Sequence, residues 1–532
     1  RRLGKGLSAK GRSRMRHGGQ ILVDQLKING VDRVFSVPGE SFLAALDGLY
    51  ESGIETVVCR QEGGAAMMAE ADAKLTGRPG VLFVTRGPGA TNAASGLHVA
   101  MHDSTPMVVF VGQIDSGHRD RAAFQEVDYR AFFGPLVKWV GEVDRTARLP
   151  EYIARAFHVA QSGRPGPVVL ALPEDVLSAR AEAADRPAVA KAPVPGAADA
   201  VGVIRAALTQ AERPLVVVGG PGWSDAAASD LAAVAAAMDL PVAAGFRRQD
   251  YLDNRLPQYV GDLGVGANPR LARRLGEADL VLALGSRLGE TVTGGYTWRD
   301  PAGTLPRLIH VHPDPDELGR VYHPDPGIAL PVPVLLAEWA RQNDLAPGPW
   351  AAWRDAARAD YEAWQAPAAT PGAVRMEEVV RWLSDHLPDD AIVTNGAGNY
   401  AAFVHRYFRY RHFGTQLAPT SGSMGYGLPA AVAASLRHPE RTVVCFAGDG
   451  CLQMTVQELS TAAQHGATPI VIVANNGKYG TIRMHQERAY PGRVSGTRLV
   501  NPNFAALAGA YGGLGLRVTE TGGFADAFET AK

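Results

Sequence analysis

The stretch Thr442-Val443-Val444-Cys445-Phe446-Ala447-Gly448-Asp449-Gly450, followed after twenty-four residues by Asn475-Asn476, decides the fold. Its first part is a short apolar run rich in Val, the pattern of a strand buried on both faces. A helical stretch is expected from Gln453 to His465, and a second apolar run, Pro469–Ala474, leads into the two asparagines. Strand, helix, strand is a βαβ unit, whose two strands are parallel and finish at one sheet edge. Ligands of parallel sheets bind at that edge, so Asp449 and Asn476 are expected side by side. A carboxylate and an amide oxygen are hard ligands suited to Mg²⁺, which also takes phosphate oxygens and water. The glycines let backbone N–H groups approach a phosphate, and the following helix N-terminus favours negative charge. The pair reads as a Mg²⁺–diphosphate clamp. Gly-Asp-Gly alone is a common turn; its weight here comes from both elements closing neighbouring strands.

The same rhythm of short Val/Ile/Leu runs and Ala-rich helical stretches extends along the chain. In a first block the runs are Val34–Val37, Thr56–Cys59, Val81–Thr85, Met107–Val111 and Val168–Leu172. A second block has Leu215–Val218, Leu280–Leu284 and Leu308–Val311, and a third adds Ala391–Thr394 to the two strands above. At 532 residues the chain exceeds one core, since cores stop growing at about 250–300 residues. The expected class is α/β, with three parallel-sheet domains at 17–180, 201–345 and 375–532. Ala/Pro-rich stretches at 181–200 and 346–374, the second around an Arg/Asp/Trp helical piece, read as linkers. The first and third blocks look like two versions of one architecture.

Composition removes several function classes. The net charge of −1 gives no basic face for nucleic acid. No apolar run reaches the roughly 18 residues of a membrane span. Cys59, Cys445 and Cys451 are odd in number and widely spread, which suits neither a disulfide framework nor a zinc site and points to a reducing cytoplasm. Residues 1–16 form a basic tail with seven Arg or Lys, lacking the apolar core of a secretory signal, and Met15 reads as a natural start. The last residues, Ala531-Lys532, read as lying inside a helix, as if the domain were truncated there.

Gly448-Asp449-Gly450 with Asn475-Asn476 resembles the thiamine-diphosphate signature. The resemblance runs from about His17 onward and is to the acetolactate synthase (acetohydroxyacid synthase) large-subunit-like family. It is carried by Arg60-Gln61-Glu62-Gly63, Gly87-Pro88-Gly89-Ala90-Thr91-Asn92, Phe124-Gln125-Glu126, Arg164-Pro165-Gly166-Pro167 and Gly425-Tyr426-Gly427-Leu428-Pro429. It implies a pyrimidine-binding, a middle and a diphosphate-binding domain, and a homo-oligomer with active sites at the subunit interface. By resemblance, Asp449 and the Asn476 side chain hold Mg²⁺ with the Lys478 carbonyl. Gly398, Asn399 and Tyr400 form a second diphosphate loop, where the family usually has Gln-His in place of Asn399-Tyr400. Pro38, Ser423, Gly448, Gly450, Cys451, Tyr479 and Gly480 complete the implied cofactor contacts; Cys451 alone reads as a small packed residue.

The catalytic set implied by the resemblance is Glu62, Gln125, Met424 and His485. Glu62 would face the cofactor's pyrimidine N1′. A carboxyl there favours the imino tautomer of the 4′-amino group, a poor base otherwise, which can then take the weakly acidic carbon proton. Taken alone, Glu62 is also an ordinary helix-start acid. Met424 matches the bulky residue that props the thiazolium, although Met is equally good core filling, and Gln125 would reach the substrate side.

Three departures bear on the reaction. In Ser286-Arg287-Leu288-Gly289-Glu290-Thr291 the family stretch has a second arginine at Thr291, which pairs with the acceptor's carboxylate; threonine cannot make that pair. His485 falls where branched-chain synthases have a substrate-selecting Trp, and it reads either as an acid/base group or as a solvated histidine. Gly245-Phe246-Arg247-Arg248-Gln249-Asp250 does not read like the flavin loop of those synthases, which counts against FAD although Arg287 retains one element of the pattern, and leaves the middle block to bind FAD, another nucleotide or none. Arg483 is a further candidate carboxylate anchor. Gly219-Gly220-Pro221-Gly222 after a strand is only a fragment of a dinucleotide fingerprint, so a nicotinamide dehydrogenase has little support. The expected activity is decarboxylation of a small 2-oxo acid such as pyruvate with carboligation to a second carbonyl. The alternatives are a non-ligating 2-oxo acid or oxalyl-CoA-like decarboxylase, and a non-catalytic cofactor-binding subunit.

Overall fold

In the computed structural model, which describes residues 14–190, 194, 196–301 and 303–532, strands alternate with helices throughout. The chain divides into two compact units. One holds the chain up to Glu70 together with Pro79–Met101 and Thr105–Ala192; the other holds Ala71–Arg78, His102–Ser104 and the remainder.

The first unit is built on a six-stranded parallel sheet in the order Glu55–Val58, Arg33–Ser36, Gly80–Val84, Met107–Gln113, Pro167–Pro173, Trp139–Glu142. Alternate residues enter opposite cores. Val81, Phe83, Val108, Phe110, Val168 and Leu170 share one buried cluster, while Leu82, Val109 and Val169 are fully buried on the other face. That two-sided burial is why the sequence shows continuous apolar runs rather than alternation. Each such side chain removed from water contributes about 1.5–3 kcal/mol.

The second unit contains two parallel sheets. The middle one has six strands, ordered Tyr259–Asp262, Val242–Ala244, Pro214–Val218, Leu280–Leu284, Arg307–His312, Gly327–Ala329. Val216, Val218, Leu282 and Ile309 enter one core, and Leu215, Val217, Val281 and Leu308 the other. The second sheet has four strands, ordered Gln416–Leu417, Ile392–Asn395, Val443–Gly448, Ile470–Ala474.

Several expectations are revised. Among the described residues, seven strands have no counterpart in the sequence reading: Arg14–His17, Trp139–Glu142, Arg180–Ala183, Val242–Ala244, Tyr259–Asp262, Gly327–Ala329 and Gln416–Leu417. All but Val242–Ala244, which lies next to an edge strand, are edge strands, and all are short, so few apolar residues mark them. The helix expected over Gln453 to His465 forms only over Glu458–His465, and a separate short helix, Asp449–Leu452, precedes it. Between them the buried Thr455 hydroxyl donates to the Gly425 carbonyl at 2.7 Å, which favours a turn over a continuous helix. Of the basic tail, residues 1–13 lie outside the described residues, whereas Arg14–His17 is a strand antiparallel to Arg180–Ala183. The second stretch read as a linker contains the helix Ala351–Trp364, whose Ala357 and Tyr361 are buried and whose Asp360 pairs with Arg270 and Arg274.

Candidate functional site

In the four-stranded sheet the chain leaves Ile392–Asn395 to build Gln416–Leu417 on one side and Val443–Gly448 on the other. This reversal is a topological switch point, where a crevice opens beyond the strand ends. The loops facing it are Gly396–Tyr400 and Gly448–Gly450. Val443–Gly448 is in register with Ile470–Ala474, Gly448 opposite Ala474, so the Asn475-Asn476 loop leaves the same edge. The expected neighbourhood of Asp449 and the asparagine pair is what the structure shows. Asp449 is 3% exposed, and its Oδ2 accepts from the Gly477 N–H at 2.7 Å. The Asn476 Oδ1 accepts from the Lys478 N–H at 3.1 Å, and Lys478 bridges to Arg498.

Three helices start at this edge: Asn399–Tyr407, Asp449–Leu452 and Gly480–Ala489. Their N-cap residues, Gly398, Gly448 and Tyr479, make no side-chain capping bond. The Gly450 N–H is taken up by Asp449 Oδ1 at 2.8 Å, whereas the starts at Asn399 and Gly480 are left without a side-chain cap, which suits an anion. Asn399 Oδ1 accepts from Thr481 Oγ1 at 2.9 Å, so two of these N-termini adjoin. The Asn399 amide also contacts the Met484 sulfur at 3.8 Å. Room is kept by glycine: a Cβ on Gly396 would stand 2.5 Å from Cys451 Sγ, and one on Gly450 would stand 2.5 Å from the Tyr479 ring.

Tyr400, expected on the diphosphate, instead has its buried hydroxyl engaged within the protein. It accepts from the Gly396 N–H at 3.1 Å and donates to Cys451 Sγ at 3.2 Å. Burial, with the neighbouring Cys451, pushes its pKa well above the ordinary phenol value, so the hydroxyl stays a donor. Cys451 is the packed residue expected of it, and its Sγ also accepts from the Gly425 N–H at 3.1 Å. Met424, between Ser423 and Gly425, is half-buried against the core of this sheet.

In the first unit the switch point lies between Arg33–Ser36 and Gly80–Val84, placing Pro38 and Gly87 at the crevice. Glu62 opens the helix Glu62–Thr76 and is 8% exposed. Its Oε2 accepts from Asn92 Nδ2 at 3.0 Å, and a Cβ on Gly89 would lie 3.0 Å from its Oε1. A buried acid held by one amide on a crowded glycine loop is more specific than a plain helix-start acid. Gln125 is half-buried with φ 65°, packed over Gly87. Its loop is pinned by Glu126, whose carboxylate accepts from the Asp120 and Ala123 N–H groups at 2.8 and 2.9 Å, bonds that lower its pKa.

The three departures also have places. Thr291 is half-buried in the loop after Leu280–Leu284. Arg287 in the same loop is paired with Glu317 at 3.1 Å. Arg483 is paired with Glu487 at 2.8 Å, one turn along the helix Gly480–Ala489, and His485 is exposed on that helix. Among the described residues, no group of three or more His, Cys, Asp or Glu side chains is gathered as a metal site. The candidate metal donors are thus the carboxylate, amide and carbonyl of Asp449, Asn476 and Lys478, a hard set that fits Mg²⁺.

Two residues escaped the sequence reading. Asn501 donates to Asp449 Oδ2 at 2.7 Å and to Asn475 Oδ1 at 2.8 Å. Its distance in sequence hid it, although it is a further asparagine among few. Arg247, whose guanidinium donates to the Pro419 and Gly396 carbonyls, is the other; the sequence reading placed it only in a stretch unlike a flavin loop.

Three family models match the chain. They are described as thiamine pyrophosphate enzyme, N-terminal TPP binding domain, over residues 16–132; central domain, over 202–338; and C-terminal TPP binding domain, over 396–532. The acetolactate synthase large subunit of Parasynechococcus marenigrum (strain WH8102) is 33% identical over 521 residues, covering 94% of this chain and 83% of the relative. The acetolactate synthase isozyme 2 large subunit of Escherichia coli (strain K12) is 32% identical over 506 residues, covering 94% and 91%. The acetolactate synthase large subunit of Lactococcus lactis subsp. lactis (strain IL1403) is 30% identical over 517 residues, covering 93% and 87%. With Glu62, Asp449 and the asparagine pair placed as described, the chain belongs to the thiamine pyrophosphate enzyme family, among relatives that are acetolactate synthase large subunits.

Proposed function

We propose that this chain is a thiamine-diphosphate- and Mg²⁺-dependent carboligase that decarboxylates a small 2-oxo acid such as pyruvate and joins the remaining fragment to a second carbonyl. The observation that carries the reading is the buried Asp449 beside a switch point, tied to Gly477 and Asn501, in a chain whose relatives are acetolactate synthases. Asp449, the Asn476 amide and the Lys478 carbonyl would hold Mg²⁺, and the N–H groups at Asn399 and Gly480 would meet the diphosphate. When bound, thiamine diphosphate supplies an acidic carbon that adds to the 2-oxo acid and accepts the electron pair freed by loss of CO₂.

The chain's residues do the rest. Glu62, oriented by Asn92, holds the proton that its carboxyl shares with the pyrimidine ring. Met424 and Ser423 position the ring system, and Gln125 faces the substrate. Glu62 and Asp449 would serve one site from two subunits of a homo-oligomer. Three free cysteines, all buried, suit a reducing cytoplasm, and among the described residues no helix is long and apolar enough to cross a membrane.

FAD is left out of this reading. Phe246, Arg247, Arg248, Gln249 and Asp250 are all buried, and Gln249 and Asp250 bond to Gln416 and Thr415 of the same unit. Residues so engaged do not fit a ligand loop.

The experiment is identification of the ligands that the purified protein binds, with pyruvate turnover measured as thiamine diphosphate and Mg²⁺ are added. Saturable binding and turnover that need both are expected. Failure of the protein to bind thiamine diphosphate in the presence of Mg²⁺ would overturn the reading.

A further inference from the structure

We infer that Arg247 is a positioning residue that closes a ring of hydrogen bonds around the three loops that carry the candidate cofactor contacts. The inference rests on the reading of those loops as cofactor loops.

Arg247 follows the strand Val242–Ala244 and has φ 60°. A non-glycine residue in the left-handed region is strained by roughly 1 kcal/mol or more, and such strain persists where the surroundings hold it. Its side chain is 4% exposed. Nη1 donates to the Pro419 carbonyl at 2.5 Å and Nη2 to the Gly396 carbonyl at 2.8 Å. Pro419 begins the loop that leads to Ser423, Met424 and Gly425. Gly396 begins the loop of Gly398, Asn399 and Tyr400.

The circuit then closes through contacts already described. The Gly396 N–H reaches the Tyr400 hydroxyl, that hydroxyl reaches Cys451 Sγ, and Cys451 Sγ receives the Gly425 N–H. Cys451 stands in the helical turn opened by Asp449. One guanidinium therefore joins two of the loops directly and the third through the tyrosine–cysteine contact. The planar fork of arginine suits two carbonyls at fixed directions, which a lysine cannot reproduce.

The neighbouring residues secure the anchor. Asp103 Oδ1 accepts from the Thr420 N–H at 2.9 Å and stands 3.3 Å from Arg248 Nη2, while its Oδ2 pairs with Lys74 at 2.8 Å. The loop after Gln416–Leu417 is thus fixed at Pro419 and at Thr420. No carboxylate pairs with Arg247 among the described residues, and its Nε has no partner. Burial lowers its pKa to about 10, so it is a cation at neutral pH. A buried cation held by two carbonyls and by the face of the Phe246 ring, 4.8 Å away, but by no carboxylate, is costly, and a nearby diphosphate would offset that cost.

The test compares Arg247→Met and Arg247→Lys with Arg354→Met, which removes a cation paired with Asp239 far along the chain from these loops. Each is titrated with thiamine diphosphate in saturating Mg²⁺ by calorimetry, with near-ultraviolet circular dichroism and thermal melts as controls for folding. Loss of a positioning contact is expected to weaken cofactor binding about tenfold to a hundredfold in Arg247→Met. A smaller loss is expected in Arg247→Lys, and none in Arg354→Met even if it melts earlier. Unchanged affinity in a folded Arg247→Met overturns the inference; if that variant does not fold, unchanged affinity in Arg247→Lys does so. Should the unaltered protein not bind thiamine diphosphate at all, it is the proposed function that fails.

Discussion

Asn501 Nδ2 donates to Asp449 Oδ2 at 2.7 Å and to Asn475 Oδ1 at 2.8 Å, so one amide ties the buried carboxylate to the asparagine pair of the neighbouring strand end. A metal bound by Asp449 and Asn476 would be oriented by this contact. Asp449→Ala is expected to abolish Mg²⁺-dependent retention of thiamine diphosphate, since no neighbouring carboxylate replaces it. Asn501→Ala should weaken retention about tenfold to a hundredfold, the usual range for a group that orients a ligand. Calorimetry with and without Mg²⁺ reads both, and equal affinities across the series would count against the clamp.

Glu62 and Asp449 lie on separate sheets, each at the carboxyl end of parallel strands. If each belongs to half of a site completed by a second subunit, Glu62→Gln and Asp449→Ala are each inactive alone. Mixed into heterodimers, they should recover activity at the one interface that holds two intact halves. Glu62→Gln alone should bind thiamine diphosphate nearly as tightly as the unaltered chain, because the diphosphate side is untouched. Confirmed subunit exchange without recovered activity would show that the halves do not cooperate in this way.

The central strands were legible because each is an apolar run buried on two faces, as Val216 and Val217 show by entering opposite cores. The juxtaposition of Asp449 with the asparagine loop was legible too, because parallel pairing puts both strand ends at one edge. Short outer strands such as Gln416–Leu417 carry two residues of pattern and left no periodic signal. Tyr400 was read as a phosphate contact from its position alone; its bond to Cys451 joins residues fifty-one apart, which no spacing rule announces. Asn501 and Arg247 were missed for the same reason. Their roles come from what folding places beside them.

Asp262 closes the strand Tyr259–Asp262 and accepts from Gln249 Nε2 at 3.2 Å. Burial pushes its carboxyl up to about 7 from an ordinary 3.8. Between these values the folded chain holds a proton that the unfolded chain has lost, so this group makes stability fall as pH rises through that window. Asp262→Asn removes the charge and should be more stable than the unaltered chain at about pH 8, by at most about 4 kcal/mol, with little difference near pH 4. Thermal melts across this range check it; a gap that shrinks as pH rises would reverse the sign.

Substrate choice turns on which cations are free to meet an acceptor's carboxylate. Thr291 replaces the arginine that the synthase resemblance implies, and threonine offers no bidentate charged pair. The two arginines that could compensate are engaged, Arg287 with Glu317 at 3.1 Å and Arg483 with Glu487 at 2.8 Å. Recruiting either means giving up its glutamate. Loss of an arginine–carboxylate pair in a partly buried site costs roughly 2–5 kcal/mol, on the order of thirtyfold to several-thousandfold in binding or rate. Acetohydroxybutyrate formation from pyruvate and 2-oxobutyrate is therefore expected to be poor, and ligation to a neutral aldehyde, or simple decarboxylation, to be better. Thr291→Arg should shift the preference back toward the 2-oxo acid acceptor. Steady-state rates with pyruvate alone, with 2-oxobutyrate and with benzaldehyde decide the matter. A kcat/KM for the 2-oxo acid acceptor well above that for the aldehyde in the unaltered enzyme would mean that another group binds the carboxylate, and Thr291→Arg would then bring no gain.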